Sequence, residues 1–440
     1  MQSTCTGVCS AADVICRTVE LGVVITGASI DGADRTIISA RPVSSEGFCP
    51  CCGAQGVLRD HVDRELVDIP MAGHVTRLVV RVPRYRCVHD QCEQKIFTQR
   101  LACAEPGAKT TRRCTRWILQ RLAIDKMSVA AIARQVGLGW DLVNQLALST
   151  VREIVYDTPG FLDGVRLLGV DEHTWRHTRT GVENSVTVLI DLTPAVEGTG
   201  PARLLDMRQG RSAKVLAEWL GERSAAFRSR IQVVTMDGFT GYRSATRQEL
   251  PDATPVMDPF HVVQLAGEKI TGCRQRIQQA VHGRRGRAGD VLYRGRKTLL
   301  TRRRLLTKHQ QNRLQRIFTE HDEHVAIEVT WLFYQDIIDA YQHPKSTDGK
   351  KLMTKVINTL RRGVPEGLAE LAQLGRTLWS KRAEILAFFD HGGVSNGPVE
   401  AINGRLEHLR GIALGFRNFT NYLLRSLAHS GHLAARINAL

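Results

Sequence analysis

Acidic residues follow two apolar runs that have the composition of buried β-strands. The run "RLLGVDEHTW" leads into Asp171, Glu172 and His173, and the run "IQVVTMD" leads into Asp237. Carboxylate oxygens are the ligands that Mg²⁺ or Mn²⁺ prefers, and two such ions about 4 Å apart support phosphodiester chemistry. The two stretches therefore indicate a metal site at one edge of a sheet, although many ordinary strands also leave a core at acidic residues.

A third acidic ligand is expected from a helix that crosses the same edge. In "SNGPVEAINGRLEHLRG", Gly397 suits a helix cap, Pro398 suits the first helical position, and Glu400 falls in the first turn. Glu400 is our first choice, and Glu407 on the same face is the reserve. Asn403, one turn from Glu400, would orient that carboxylate or contact a phosphate. The alternative is that Glu400 only stabilises the helix dipole.

Two histidines lie close to these carboxylates in the sequence. The stretch "DPFHVV" places Asp258 and His261 at the end of another predicted strand, and His173 follows the first acidic pair. A histidine can transfer a proton or bind a phosphate at neutral pH, but one at the start of a helix is more often structural. We assign neither histidine a catalytic role.

Two pairs of cysteines have the spacing of a metal centre. A C-x2-C pair and a C-x4-C pair flank the strand-like "HVTRLVVRVPRYRC", and the four residues are Cys49, Cys52, Cys87 and Cys92. Two cysteine knuckles joined by a β-hairpin suit a tetrahedral four-thiolate Zn²⁺ site, which is structural when all its ligands come from protein. Unrelated buried cysteines are the alternative, and Cys51 or His89 could replace one ligand.

The elements that must position the carboxylates occur in a distinctive order. Apolar patterning predicts strands at 165–171, 185–192 and 202–207, a helix at 212–223, a strand at 231–237, a helix at 241–250 and a strand at 254–258. This is the element order of a ribonuclease-H-like fold, whose first and fourth strands are neighbours. With Asp171 ending the first strand and Asp237 the fourth, the two carboxylates would meet at one edge.

Residues 116–151 predict a helix-turn-helix with its turn near Gly137. Its second helix would present three side chains to the DNA major groove, where amides read adenine: Trp140, Asn144 and Gln145. An ordinary helical hairpin is the alternative reading. The DNA-reading version is favoured because the predicted zinc module precedes it and the chain is basic.

The charge of the chain favours a polyanionic partner. The 440 residues include 60 Lys and Arg against 44 Asp and Glu, a formal net charge of +16. A predicted helical segment concentrates this charge in "HGRRGRAGDVLYRGRKTLLTRRR", which would follow a phosphate backbone. Its candidate DNA contacts are Arg284, Arg285, Arg287, Arg302, Arg303 and Arg304; a solvated basic loop is the alternative. No apolar run approaches a membrane span, and the N-terminus lacks the layout of a secretory signal.

The motifs "GVDEHTW", "TMDGFTGYRSA", "MDPFHVVQLA" and "SNGPVEAINGRLEHLRGIALGFRNF" together resemble the DDE transposases of insertion sequences, specifically the ISL3 family. The likeness covers about residues 45–440. It implies that Asp171, Asp237 and Glu400 form the metal-binding triad, with a helical insertion before Glu400. We therefore expect an α/β multidomain protein in which a zinc-binding β module and a helix-turn-helix precede a ribonuclease-H-like core interrupted by that insertion.

These readings predict five regions. Residues 1–100 hold the zinc-knuckle module (47–97), 101–160 the helix-turn-helix, 161–262 the first part of the catalytic core, 263–388 the basic helical insertion, and 389–440 the C-terminal helical part of the core.

The expected function is a bacterial DNA transposase that binds terminal inverted repeats, cleaves at them with Mg²⁺ or Mn²⁺, and joins the 3′-hydroxyl to target DNA. We also expect a structural Zn²⁺ and a cytoplasmic, nucleoid-associated location. The protein should have no membrane partner and should act as a homo-oligomer, as a dimer on paired ends. The alternatives are a zinc and helix-turn-helix regulator, a structure-specific nuclease that does not join, and an inactive transposase.

Overall fold

The computed structural model describes residues 11–32, 34–176 and 184–440. The first ten residues of the predicted N-terminal region lie outside the described residues. The chain forms two compact units, which are described separately: residues 1–161 with Ile412–Leu440, and Leu162–Gly411.

The strands in chain order are β1 (Val23–Ile30), β2 (Thr36–Pro42), β3 (Val57–Met71), β4 (His74–Arg86), β5 (Ile96–Thr98), β6 (Leu167–Thr174), β7 (Ser185–Asp191), β8 (Arg203–Gln209), β9 (Val233–Met236) and β10 (Thr254–Met257). The helices are α1 (Ala11–Ile15), α2 (Arg112–Ala123), α3 (Val129–Val136), α4 (Trp140–Arg152), α5 (Thr193–Glu197), α6 (Ala213–Gly221), α7 (Ala225–Arg230), α8 (Thr240–Glu249), α9 (Pro259–His282), α10 (Val291–Arg294), α11 (Arg296–Leu299), α12 (Lys308–Thr319), α13 (Val325–Tyr341), α14 (Ser346–Arg361), α15 (Ala369–Ser380), α16 (Arg382–Asp390), α17 (Gly397–Ile412), α18 (Phe419–Ser430) and α19 (Ala434–Asn438). Short 3₁₀ turns occur at Val19–Leu21, Arg303–Leu305 and Asp322–His324, and a π turn occurs at Glu153–Asp157.

The first unit contains a sheet in the order β1-β2-β4-β3, with β5 on β4. A long hairpin joins β3 to β4 through Ala72 and Gly73, which both have positive φ angles, of 50° and 86°. Two such residues between antiparallel strands match the right-handed twist of a hairpin. The buried face of β4 includes Leu78, Val80 and Val82. The hairpin that the sequence predicts between the two cysteine pairs is therefore present.

The C-terminal helices belong to the first unit, which differs from the predicted 389–440 core segment. α18 and α19 pack against α2, and α18 also packs against α4. Tyr422 and Leu427 of α18 are fully buried, and Gln120 Nε2 donates to Asn438 Oδ1 at 2.9 Å. The apolar face of α18 is buried in the first unit, so the core segment of the second unit ends near Gly411.

The second unit contains a sheet in the order β10-β9-β6-β7-β8. Strands β6, β7 and β8 pair antiparallel, while β9 is parallel to both β6 and β10. β6 and β9 are thus neighbours, as the sequence predicts for the first and fourth strands. Asp171 does not end β6, however. Antiparallel pairing with β7 continues from Asp171–Val188 to Thr174–Ser185 and keeps the strand extended for three further residues.

Helices α9 to α16 occupy most of the predicted insertion and share a separate apolar core, which includes Ile270, Cys273, Leu314, Ile337, Met353 and Leu378. α9 begins four residues before the predicted start at 263, because the Asp258 carboxylate caps it by accepting from Phe260 N at 3.0 Å. Among the described residues, the helices are too short or too polar to cross a membrane.

Candidate active site and zinc centre

The four predicted cysteines come together at one end of the first unit. Their Sγ atoms all lie within 4.8 Å of one another, with Cys49 3.7 Å from Cys92 and Cys52 3.6 Å from Cys87. A tetrahedron with Zn–S bonds of 2.3 Å has edges of roughly 3.8 Å, so the donor set and its spacing fit Zn²⁺.

Two tight turns place these thiols. In the first, Cys49 N donates to Ala54 O at 2.8 Å, and in the second, Cys92 N donates to His89 O at 3.0 Å. The backbone N–H of Cys52, helped by that of Cys51, lowers the pKa of Cys49 to about 7 and so favours its thiolate, whereas burial raises the pKa of Cys92. Within the described part of the chain, the cluster includes neither Cys51 nor His89 as a ligand.

Asp171 and Asp237 lie side by side at the edge of the second sheet. The parallel register of β6 and β9 pairs Val170 with Met236, and the residue that follows each of them is an aspartate. Asp171 Oδ1 accepts from Glu172 N at 2.8 Å. Burial raises the pKa of Asp171 to about 6, and the negative charge of Asp237 acts in the same direction.

Glu400 projects from the first turn of α17, with an exposed side chain. Partial desolvation of its carboxyl and the negative charge of Asp258 raise the pKa of Glu400, while His261 opposes the shift. Asp258 and His261 also influence Asp171. Asp258 and His261 thus act on the pKa of both Asp171 and Glu400.

Two downstream polar residues have contacts other than those predicted. Asn403 Nδ2 donates to Asp171 Oδ2 at 3.0 Å, so it orients the first aspartate and not Glu400. The reserve candidate Glu407 forms an ion pair with Arg410, whose Nη1 donates to Thr174 O at 2.8 Å. The Glu407 side chain is thus paired within its own helix, and its Oε1 lies 3.9 Å from His173 Nε2.

Sequence reasoning missed Asn396, which ties the start of α17 to the sheet edge. Asn396 is 1% exposed, and its backbone N–H donates to Asp258 Oδ1 at 2.7 Å. Its side-chain amide donates to Val170 O at 3.5 Å and accepts from the Thr235 hydroxyl. The only sequence signal was an amide just before the helix-start residues, which resembles an ordinary cap.

Sequence reasoning also missed Arg211. Its guanidinium forms ion pairs with Glu172 Oε2 at 2.6 Å and Asp237 Oδ2 at 3.0 Å, and its Cζ lies 4.7 Å from the ring centroid of Phe239. Glu172 is further held by Ser185, whose hydroxyl donates at 2.6 Å. Arg211, which precedes Asp237 by 26 residues in the sequence, thus holds the carboxylates of Asp237 and Glu172 together.

Two family models match this sequence. A model of ISL3 transposases, described as "Transposase", covers residues 168–426, and a zinc-finger model of the transposases IS204, IS1001, IS1096 and IS1165 covers residues 45–92. The transposase for insertion sequence element IS1001 of Bordetella parapertussis is 24% identical over 390 residues, which are 88% of this chain and 90% of that relative. The first model alone spans more than half of the chain.

The chain belongs to the ISL3 family of transposases. The resemblance seen in the sequence motifs is therefore confirmed. The zinc-finger match overlies the cysteine cluster and supports a structural Zn²⁺ in this transposase.

The predicted recognition helix of the transposase begins at Trp140, but one of its three candidate side chains is not available. Trp140 is 49% exposed and Gln145 is exposed, whereas Asn144 is only 7% exposed. Asn144 lies on the face of α4 that also carries the buried Ala147 and Leu148, so it cannot read a base in this conformation. The connection between α3 and α4 contains Gly137, which has a φ of 63°.

The basic segment of the transposase is less uniform than its composition suggests. Arg284 makes a bidentate pair with Asp290, at 2.7 and 2.9 Å, and is therefore engaged within the protein. That pair, with a hydrogen bond from the backbone of Arg287, holds the pKa of Asp290 well below its usual range. The adjacent Arg285 is exposed. Neighbouring arginines in one motif thus have different availability for DNA.

The second group of arginines is exposed, although some of its members also contact neighbouring side chains. Arg303 places its Cζ 5.3 Å from the ring centroid of Trp331, and Arg302 lines a cavity beside Glu400. Arg304 is also exposed. The side chains of all three remain accessible to a phosphate backbone.

Proposed function

We propose that this protein is an active transposase that binds the terminal inverted repeats of its insertion sequence, cleaves DNA at those ends, and joins the freed 3′-hydroxyl to target DNA. The observation that carries the proposal is the equivalent position of Asp171 and Asp237 on neighbouring parallel strands, with α17 and Glu400 tied to the same edge. Membership of the transposase family supports the reaction class.

The fold that we propose for the catalytic part is ribonuclease-H-like. The support is that three antiparallel strands, β6 to β8, precede two parallel strands, and that β9 lies next to β6. A helix-turn-helix formed by α3 and α4 is proposed on the basis of the short connection at Gly137.

Asp171, Asp237 and Glu400 would hold Mg²⁺ or Mn²⁺, which supplies activation of the attacking oxygen and stabilisation of the leaving oxygen. The all-carboxylate donor set suits these hard cations. Burial and the negative charge of Asp237 raise the pKa of Asp171, and a bound cation would favour its ionised form. Asn403 orients Asp171, and Arg211 orients Asp237.

The remaining parts of the proposal concern binding. Cys49, Cys52, Cys87 and Cys92 would hold the structural Zn²⁺, and exposed Trp140 and Gln145 would contact bases. Exposed arginines of the basic segment would contact phosphates: Arg285, Arg287, Arg302, Arg303 and Arg304. The protein would act in the cytoplasm on nucleoid DNA, as a dimer on paired ends.

The test is cleavage and joining of labelled DNA that carries the element's own ends, with Mg²⁺ or with EDTA. We expect metal-dependent nicks and joined products from the wild type, and neither product from Asp237→Ala or Glu400→Gln. Glu407→Gln is the matched control, because Glu407 lies on the same helix but pairs with Arg410; it should retain both products.

Three other outcomes would contradict the proposal. Binding without cleavage by the wild type would favour a regulator or an inactive transposase. Nicks without joined products would favour a nuclease. Loss of activity in Glu407→Gln but not in Glu400→Gln would reassign the third carboxylate.

A further inference from the structure

A cavity of about 320 Å³ opens beside Glu400 in the second unit. The start of α9, the end of α13 and the segment before α17 form its walls. Small-molecule pockets have volumes of roughly 300–1,000 Å³. This cavity is therefore of the size that accepts one small group, such as a single nucleotide, and is too small for a duplex.

One wall of the cavity is aromatic. Phe260, in the first turn of α9, is 57% exposed although it is a large apolar residue. Its backbone is fixed, because Phe260 N donates to the capping carboxylate of Asp258 at 3.0 Å. Deeper in the cavity, the Tyr341 ring stacks on Phe389 at 5.4 Å with an interplanar angle of 7°. An exposed ring on a fixed backbone is a suitable platform for base stacking, which tolerates any base.

Another part of the wall is cationic. Arg302 is exposed and lines the cavity. The side-chain amide of Gln342, with its oxygen turned toward the guanidinium, accepts from Arg302 Nη2 at 3.2 Å. A guanidinium held in this way can bind a phosphate or stack on a base. Glu400 lines the same cavity, so a group bound there is next to one of the three proposed catalytic carboxylates.

We propose that this cavity receives one nucleotide of the DNA strand, unstacked from its neighbours, next to the phosphodiester that is cleaved. Phe260 stacks on its base and Arg302 binds its phosphate. This inference rests on the proposed function, because it takes DNA held at Glu400 as the source of the nucleotide. Extrusion of a base costs stacking and pairing energy, which the aromatic wall partly returns.

The experiment is a double-mutant cycle in which Phe260 and single bases near the cleavage site are removed separately and together. Dissociation constants are measured for wild type and Phe260→Ala on end DNA, and on a series of the same DNA with one abasic position each. We expect Phe260→Ala to weaken binding of intact DNA by about tenfold. We also expect a single abasic position next to the cleavage site to remove that difference, because no base remains to stack.

Two further variants separate stacking from general damage. Phe260→Trp keeps an aromatic face and should bind DNA like the wild type. Leu332→Ala removes another exposed apolar side chain, which is 42% exposed, and should leave DNA binding unchanged. Equal binding of intact DNA by Phe260→Ala and wild type would overturn the inference, as would a deficit that every abasic position leaves unchanged. If the wild type still cleaves in that case, only the nucleotide cavity is wrong. If the wild type neither binds nor cleaves the ends, the proposed function and the cavity assignment both fail.

Discussion

The cysteine centre and the carboxylate site are built in opposite ways. The four thiols come from two short turns at one end of a single hairpin, and their sulfur atoms already lie within 4.8 Å of one another. The carboxylates come from β6, the end of β9 and α17, which span residues 171 to 400 of the sequence. Hydrogen bonds from Asn403, Arg211 and Asn396 hold this region together. A centre made by local turns depends on few other contacts, whereas one made by distant segments depends on the packing of the whole unit.

Zinc removal should have the largest effect, because one Zn²⁺ would join the two cysteine turns through all four thiolates. Cys92→Ser should lose bound zinc and melt at a lower temperature, since structural Zn²⁺ contributes an apparent 10–16 kcal/mol or so in small zinc-finger peptides. Metal content and thermal unfolding measure both effects. Cys51→Ser, outside the cluster, is the control and should keep its zinc; retention of zinc by Cys92→Ser would refute the four-cysteine site.

The carboxylate site should show the reverse behaviour, with loss of activity but not of stability. Asp171→Asn should reduce the rate of end cleavage by roughly 10²-fold or more. Its melting temperature should stay level or rise, because burial and the charge of Asp237 disfavour the ionised form of Asp171. Single-turnover cleavage and calorimetry on the same sample test this. A variant that cleaves normally, or that unfolds, would break the contrast with the cysteine centre.

The dependence of the carboxylate site on long-range packing can be tested at Gly169. A Cβ at this position of β6 would lie 2.6 Å from Val399 Cγ2 on α17. Gly169→Ala should therefore lower the free energy of unfolding by about 1–3 kcal/mol through overpacking, and also slow cleavage by moving Glu400.

Val399→Ala removes the clashing methyl group and should restore part of the loss when combined with Gly169→Ala. Chemical denaturation of the two single variants and the double variant measures their coupling. Strictly additive losses would show that α17 does not approach the sheet at this point.

The smallest effect concerns two adjacent arginines. Arg285→Ala should reduce the slope of log affinity against log salt by about 0.9, the value for one phosphate contact. Arg284→Ala should change the slope less, because Arg284 is engaged by Asp290. Binding to end DNA at several salt concentrations measures both slopes. A larger change for Arg284→Ala would show that the pair with Asp290 opens on DNA.

The spacing of residues was sufficient to predict much of this protein. C-x2-C and C-x4-C around a hairpin predicted the cysteine cluster, and acidic residues after two apolar runs predicted the neighbouring aspartates, because turns and strand register depend on residues close in the chain. The helix start at Gly397–Pro398 likewise predicted where Glu400 would lie on its helix.

Only the tertiary structure decided which polar side chains are buried, exposed or bound to the carboxylates. The burial of Asn144 and the placement of α18 with the first unit depend on how the helices pack together. Asn396 and Arg211 likewise act on residues that are distant in the chain. The physical reason is that spacing encodes the geometry within a turn, a helix or a strand pair, whereas contacts between distant elements depend on which apolar faces are buried together.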